Sequence, residues 1–189
     1  RLARHLFWSR PALYRPIGIL RRKIDVFESG YELYIGGYPR SGNTFAVKAF
    51  LLANSNARLR SHKHLPPCII QSAKWNLPGM VLIRKPVDAA ISWAIYTNTT
   101  LYETLAYYTD YYNLLRPYRG NLFFVTFEEV TSDFGKVITN FNARWNTNYV
   151  PFMHVPENVS RCISTIEDEY TDSNGTIMEA KVPRPSVHR

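Results

Sequence analysis

The sequence predicts an α/β domain with a mainly parallel sheet, and three observations point to this class. Short β-prone or fully apolar runs alternate along the chain with segments whose apolar residues recur at helical spacing. A glycine-containing turn separates the first such run from the first helical segment. A length of 189 residues with 46% hydrophobic residues suits a single globular domain with its own core. Strands that alternate with helices pair in parallel, because each helix carries the chain back across the sheet.

The first half of the domain begins with the run YELYIGGY, residues 31–38, which is rich in β-prone aromatic residues and predicts a strand. A helix is predicted from about Gly42, since NTFAVKAFLLAN carries apolar residues at helical spacing. Residues 62–67 contain two consecutive prolines and predict a loop, with a short helix over 68–75.

Two apolar runs predict further buried strands, MVLI at 80–83 and LFFVTF at 122–127. Pro86 suits the first turn of a helix that continues to about Tyr96. A longer helix rich in tyrosine is predicted over 100–115.

The last third predicts a helix over 134–145, with Ser132 or Asp133 as its N-terminal cap. A weaker helical pattern follows at 160–169, and loops are expected beyond Thr171.

The net charge of +8 is concentrated at the N-terminus, where residues 1–23 carry seven Arg and Lys and no acidic residue. This divides the chain into a basic arm, residues 1–30, and a nearly neutral α/β domain, residues 31–189. We favour an arm that packs its apolar residues on the domain; the alternative is an arm that contacts a membrane surface or a polyanion. Pro11 and Pro16 argue against one continuous helix there.

Two cysteines, Cys68 and Cys162, are too few for a disulfide framework, so they either form one pair or are both free. Neither belongs to a cluster with metal-ligand spacing. No apolar run reaches the roughly 18 residues that a transmembrane helix needs.

The motif GYPRSGNT, residues 37–44, has the glycine and threonine spacing of a Walker-A phosphate-binding loop, with Asn43 at the lysine position. A turn between a strand and a helix directs backbone N–H groups toward one point, where the helix N-terminus adds partial positive charge. The motif therefore predicts an anion site. Its basic side chain is Arg40, inside the loop.

The missing lysine bears on which anion is bound. Kinases and ATPases neutralise a triphosphate with that lysine and with Mg²⁺, held by an aspartate after a strand. Here the candidate strands are followed by Arg84 and by Glu128, with no clear aspartate. A sulfuryl group carries less charge than a terminal phosphoryl group and can be transferred without a metal, so it suits this loop better.

Four segments then resemble, in order, the sulfotransferases that use 3′-phosphoadenosine 5′-phosphosulfate (PAPS), in particular short bacterial-type members. YPRSGNTF at 38–45 is similar to their 5′-phosphosulfate loop, and HKHLPP at 62–67 to the segment that carries their catalytic histidine. LIRKPVDAAISWAIY at 82–96 is similar to their 3′-phosphate element, and FFVTFEEVTSD at 123–133 to their next strand and turn. VPRPS at 182–186 resembles the tail of some short members.

The resemblance implies a P-loop three-layer α/β/α sandwich and in-line transfer of a sulfuryl group from PAPS to an acceptor hydroxyl. The product nucleotide would be adenosine 3′,5′-bisphosphate (PAP), and no metal would take part.

The resemblance also implies a set of cofactor contacts. Two of them, Arg84 and Ser92, would hold the 3′-phosphate that distinguishes PAPS from ATP. Phe45 would pack on adenine, although a core aromatic is nearly as well supported. Arg184, with Arg189, would close over the 3′-phosphate, but the late basic element of the family is not recognisable here. The full set of implied contacts is Arg40, Ser41, Gly42, Asn43, Thr44, Phe45, Arg84, Ser92, Phe127 and Arg184.

For catalysis the resemblance implies that His64 is the general base that removes the acceptor proton. His62, two residues earlier, is the rival for that role or a residue that orients the base. Arg40 would stabilise developing charge, since a guanidinium does not give up its proton.

The expected partner is a small-molecule or saccharide acceptor, of carbohydrate or glycolipid type, and not nucleic acid. Homo-oligomerisation and peripheral membrane contact through residues 1–23 are open. We expect a cytoplasmic protein, with the Golgi lumen as the alternative in a eukaryote. A run of tyrosines in the predicted helix 100–115 suggests either a saccharide-stacking surface or, as we favour, a helix core with an amphipathic rim.

Two other functions stay open at this point. One is a P-loop small-molecule kinase, which would need the lysine and the metal ligand that the sequence lacks. The other is a non-catalytic module on a degenerate nucleotide-binding fold that binds a polyanion or a membrane through its basic arm.

Overall fold

A parallel four-stranded sheet forms the centre of the computed structural model, which describes residues 8–13, 16, 30–61 and 64–177. The order of strands in the sheet is β2-β1-β3-β4, and every neighbouring pair is parallel. The strands are β1 (Leu33–Gly37), β2 (Leu59–Ser61), β3 (Gly79–Ile83) and β4 (Phe123–Thr126).

Helices connect the strands and follow the last of them. A 3₁₀ helix, Arg116–Asn121, leads into β4. The α-helices are α1 (Asn43–Ala53), α2 (Pro66–Lys74), α3 (Pro86–Thr97), α4 (Leu101–Leu115), α5 (Phe127–Ser132), α6 (Phe134–Trp145) and α7 (Pro156–Glu169).

The two faces of the sheet bury two separate cores, because alternate residues of a strand point to opposite sides. On β1, Leu33 and Ile35 contribute to a core with α1, α6 and α7, whereas Tyr34 contributes to a core with α2 and α4. The result is the three-layer α/β/α sandwich with a parallel sheet that the sequence predicted.

The centre of the sheet is tightest at Gly37, the last residue of β1, which pairs with Leu82 of β3. A Cβ atom at Gly37 would lie 2.2 Å from the Leu82 carbonyl oxygen, so only glycine allows this approach. The close pairing brings the loop after β1 next to the carboxyl end of β3.

Several predicted boundaries were wrong. Pro66 and Pro67 open α2 instead of lying in the preceding loop, since proline is compatible with the first helical turn. Pro156 likewise starts α7 four residues before the predicted position. The strand predicted to reach Phe127 ends at Thr126, whose side chain caps α5. The edge strand β2 was not predicted.

The two cysteines are both free and buried, and they lie on opposite faces of the sheet. Burial raises the pKa of the Cys162 thiol to about 12, which makes it an unreactive core residue. None of the helices in the described part of the chain combines the length and apolarity that a membrane crossing requires.

Little of the N-terminal arm falls within the described residues. Trp8 is half-buried and packs against Tyr107 of α4, with ring centroids 5.3 Å apart. The division into an arm and a domain stays a prediction. At the other end, the loops expected beyond Thr171 contain one bridge between Thr171 and Ile177.

Candidate active site

The loop between β1 and α1 leaves the start of α1 open for an anion. Gly42 is the N-cap residue of the helix, with φ of +86°, and it provides no side-chain capping hydrogen bond. The first turn also contains no acidic residue. Backbone N–H groups at this position have no acceptor within the helix, and together with the helix dipole they favour a bound anion.

Gly42 is required at this position for two reasons. Its backbone lies in the left-handed region, and an added Cβ atom would lie 3.0 Å from Cδ2 of the Phe127 ring. The loop thus packs directly against the aromatic ring at the start of α5.

Replacing Gly42 with alanine should lower the free energy of unfolding by about 1–3 kcal/mol, because both the backbone and the Phe127 contact would be strained. Chemical denaturation measures this change. Gly120→Ala is the matched control: nothing lies within 4 Å of its added Cβ, so we expect a change within about 0.5 kcal/mol. Equal effects in the two variants would show that the loop conformation does not depend on Gly42.

Arg40 crosses from this loop to α3. Its backbone also has a positive φ, 66°, and its Nε donates a hydrogen bond to the Ser92 hydroxyl at 2.9 Å. The guanidinium carbon lies 5.6 Å from the centroid of the Tyr96 ring. Ser92 is buried, with 8% of its surface exposed. The two residues predicted to contact different ends of the nucleotide are therefore direct neighbours.

Arg84 follows β3 and joins the same cluster. Its Nη1 donates to the backbone oxygen of Arg40 at 3.1 Å, and its guanidinium carbon lies 4.4 Å above the centroid of the Phe127 ring. Stacking on an aromatic ring fixes the plane of a guanidinium, which suits recognition of a phosphate. The neighbouring Lys85 is exposed.

Asn43, at the position of the Walker-A lysine, supports the backbone of the loop. It is 3% exposed, and its Nδ2 donates to the carbonyl oxygen of Tyr38 at 2.9 Å. Its Oδ1 is buried and accepts no hydrogen bond from the described residues. Ser41 beside it is fully buried. The Asn43 side chain thus points into the fold, whereas a Walker-A lysine at this position would extend toward a phosphate.

His64 lies against the start of the loop, with a positive φ of 42°. Its Nδ1 is 3.1 Å from the Gly37 carbonyl oxygen and 3.4 Å from Nδ2 of Asn43. A carbonyl oxygen only accepts hydrogen bonds, so the shorter contact requires a proton on Nδ1. In the neutral ring this leaves a lone pair on Nε2, as a general base requires.

The structure brings most of the predicted site residues into one cluster. Phe45 is the exception: it is 6% exposed and packs on Phe134 and Phe152 in the core, so a contact with adenine stays a prediction. His62 and Arg184 lie outside the described residues. The residues that the structure brings together are Arg40, Gly42, Asn43, His64, Arg84, Ser92 and Phe127, with Ser41 and Thr44 in the same loop.

Two acidic residues, Glu128 and Glu129, lie in the first turn of α5, and Glu129 has a structural role there. Its carboxylate accepts from the hydroxyl and the N–H of Thr126, and the Thr126 hydroxyl accepts from its N–H, which forms a capping box. The hydrogen bond from the Thr126 hydroxyl is the main cause that lowers the pKa of Glu129.

The sequence analysis missed the hydrogen bonds that α4 makes to the site. The hydroxyls of Tyr107, Tyr108 and Tyr112 each reach the backbone of a segment that carries a site residue. Tyr108 and Tyr111 are buried, so the interpretation as a helix core holds for them and a stacking surface does not. The density of tyrosines on one helix was the available signal.

No group of three or more His, Cys, Asp or Glu side chains suited to a metal occurs in the ranges that the structure describes.

Comparison with solved structures identifies the fold. The fold is similar to that of a solved sulfotransferase. The mouse sulfotransferase SULT7A1 complexed with PAP superposes with a TM-score of 0.50 and 13% sequence identity, over 83% of this chain and 73% of the mouse chain. No protein-family model matches the sequence, and the search of curated proteins gave no match. At this identity the likeness establishes the architecture, and the site must be argued from its own residues.

Proposed function

We propose that this chain is a sulfotransferase that transfers the sulfuryl group of PAPS to an acceptor hydroxyl. One observation carries the proposal: the start of α1, which has no side-chain cap, meets two arginines and a histidine around one loop. The similarity of the fold to a sulfotransferase complexed with PAP supports it.

The residues present fit a nucleotide with two phosphate groups at separate positions. The open first turn of α1 offers N–H donors for a 5′-phosphosulfate. Arg84 and Ser92 lie on the neighbouring strand end and helix, where they would hold the 3′-phosphate. Arg40 contacts both regions through its hydrogen bond to Ser92 and its own place in the loop. The ligand is therefore proposed as PAPS before transfer and PAP after it.

Asn43 weighs against the kinase alternative. Its Nδ2 is engaged with the backbone of Tyr38, so the position that carries the catalytic lysine in Walker-A loops serves the loop itself. A triphosphate would lose its main side-chain counter-charge there. A sulfuryl donor carries less charge at its terminal group and therefore needs less positive counter-charge from the protein.

The chemistry assigned to the protein is proton removal and charge stabilisation. PAPS supplies the sulfuryl group when it is bound. Nε2 of His64 removes the proton from the acceptor hydroxyl, with Nδ1 held by the Gly37 carbonyl. Arg40 stays protonated and stabilises the negative charge that develops on the leaving phosphate. We propose a carbohydrate or glycolipid-type acceptor.

A transfer assay with labelled PAPS tests the proposal, with a panel of hydroxyl compounds that includes saccharides and glycolipids. We expect label to move to an acceptor at an unchanged rate in excess EDTA, since none of the assigned roles needs a metal. Transfer that disappears in EDTA and returns with Mg²⁺ would contradict the mechanism. Phosphoryl transfer from ATP with no transfer from PAPS would establish the kinase instead.

A further inference from the structure

Helix α4 reaches three separate segments of the candidate site through tyrosine hydroxyls. The three tyrosines are Tyr107, Tyr108 and Tyr112, and each one bonds to backbone atoms of another element. Bonds to backbone atoms fix where a segment lies without contacting a ligand. These three hydrogen bonds therefore position the segments of the site and take no part in the reaction itself.

Tyr112 connects the two central strands at their carboxyl ends. Its hydroxyl donates to the carbonyl oxygen of Leu82 in β3 at 2.7 Å. The hydroxyl oxygen of Tyr112 in turn accepts from the backbone N–H of Tyr38, the first residue after β1, at 3.4 Å. This one hydroxyl therefore ties the start of the anion-binding loop to β3.

Tyr108 holds the residue that carries the 3′-phosphate assignment. Its hydroxyl donates to the backbone oxygen of Arg84 at 2.7 Å. The Arg84 side chain then extends to Arg40 and Phe127, as described above. Tyr108 is 8% exposed, so this bond is largely protected from water.

Tyr107 holds the candidate base. Its hydroxyl donates to the backbone oxygen of His64 at 3.1 Å. His64 has a positive φ, which costs free energy for a residue with a Cβ atom and persists only where surrounding contacts impose it. Of these contacts, the Tyr107 bond acts on the backbone of His64 and the Gly37 carbonyl acts on its ring.

The helix is itself well anchored. Its N-terminus has a capping box between Thr100 and Glu103, and the hydroxyl of Tyr38 donates back to the carbonyl oxygen of Thr104 at 3.0 Å. Burial raises the pKa of Tyr108 and Tyr112, so their hydroxyls stay protonated and remain donors at neutral and alkaline pH.

We propose that α4 is the positioning element of the active site, with Tyr107 a positioning residue for His64 and Tyr108 a positioning residue for Arg84. The catalytic part of this inference rests on the proposed sulfotransferase function. The geometric part, that Tyr107 holds the His64 backbone and thereby keeps the ring against the Gly37 carbonyl, does not.

The test uses the full chain and removes single hydroxyls with Tyr107→Phe and Tyr108→Phe. For Tyr107→Phe, long-range ¹H–¹⁵N spectra of the His64 imidazole should show a roughly fivefold larger fraction of the Nε2–H tautomer. Turnover should fall roughly fivefold, with the Kd for PAP unchanged. Tyr108→Phe should raise the Kd for PAP roughly fivefold and leave the His64 spectrum unchanged. Tyr102→Phe, on the same helix with a side chain 79% exposed, should alter none of these three quantities.

The outcomes test the positioning role of Tyr107 and the sulfotransferase function separately. An unchanged His64 spectrum in Tyr107→Phe overturns the positioning role, whichever nucleotide the protein binds. A changed spectrum in a protein that binds ATP and not PAP supports the positioning role and overturns the sulfotransferase function. Should Tyr107→Phe fail to fold, Tyr108→Phe decides the matter, and equal effects on PAP affinity in Tyr108→Phe and Tyr102→Phe overturn the inference.

Discussion

Replacing His64 with alanine should lower the rate of sulfuryl transfer by about 10²-fold or more while leaving the affinity for PAP unchanged. The two ring nitrogens of His64 have different roles. Nδ1 donates to the Gly37 carbonyl oxygen, and Nε2 would take the acceptor proton. The Nδ1 contacts of the imidazole run to Gly37 and Asn43, and the 3′-phosphate is assigned to other side chains, so we expect PAP affinity to be retained. Transfer rates with saturating PAPS and calorimetric titration with PAP measure the two quantities.

His62→Ala is the necessary companion, because His62 was the rival candidate and lies outside the described residues. We expect a much smaller effect on the rate from this variant. The reverse pattern, with a large loss in His62→Ala and little in His64→Ala, would assign the base to His62. Thermal unfolding of both variants checks that a lost rate is not a lost fold, which matters because His64 has a strained backbone.

Replacing Arg84 with alanine should weaken PAP binding by ~2 kcal/mol, or about 30-fold in Kd, through the loss of a charge-assisted contact. A second effect of the substitution should also weaken PAP binding. Arg84 also donates to the backbone oxygen of Arg40, so its removal loosens the loop that would hold the 5′-phosphate. Titration with PAP and with adenosine 5′-phosphate, which lacks the 3′-phosphate, separates the two contributions.

The assignment of Arg84 to the 3′-phosphate requires a larger loss for PAP than for adenosine 5′-phosphate. Equal losses for the two nucleotides would mean that Arg84 acts only through the loop. Lys85→Ala, which removes the adjacent but exposed cation, should change the Kd for PAP by less than about threefold. Arg84→Lys should recover only part of the affinity, since lysine cannot reproduce the guanidinium over the Phe127 ring or its fork of donors.

Much of the fold could be predicted because its central strands are buried on both faces. Continuous apolar or aromatic runs mark β1, β3 and β4, and the prolines and caps mark most helix starts. The edge strand β2 gave no such signal: it has only three residues, LRS, and it is recognised through its parallel pairing with β1. The short α5 was hidden because the strand pattern continues through Phe127, where the Thr126 cap instead starts a helix.

The residues of the candidate site could be predicted from the sequence, but the hydrogen bonds between them could not. The loop motif placed Arg40 after one predicted strand and the 3′-phosphate segment placed Arg84 after another, and a parallel sheet brings these strand ends to one edge. The resemblance alone selected His64 in a predicted loop and Ser92 on a predicted helix. That Arg40 bonds directly to Ser92 depends on side-chain packing across 52 positions of sequence. The tyrosine bonds of α4 are equally non-local, and periodicity could show only that the helix had an aromatic face.

Binding of PAP and of ATP, measured by calorimetry, tests the central claim most directly, because the 3′-phosphate is present in one nucleotide and absent from the other. PAP is titrated in EDTA, and ATP with Mg²⁺. We expect PAP to bind without metal and ATP to bind at least about 100-fold more weakly. Tight binding of ATP with Mg²⁺ and no binding of PAP would contradict the roles of Arg84 and Ser92 and the proposed function with them.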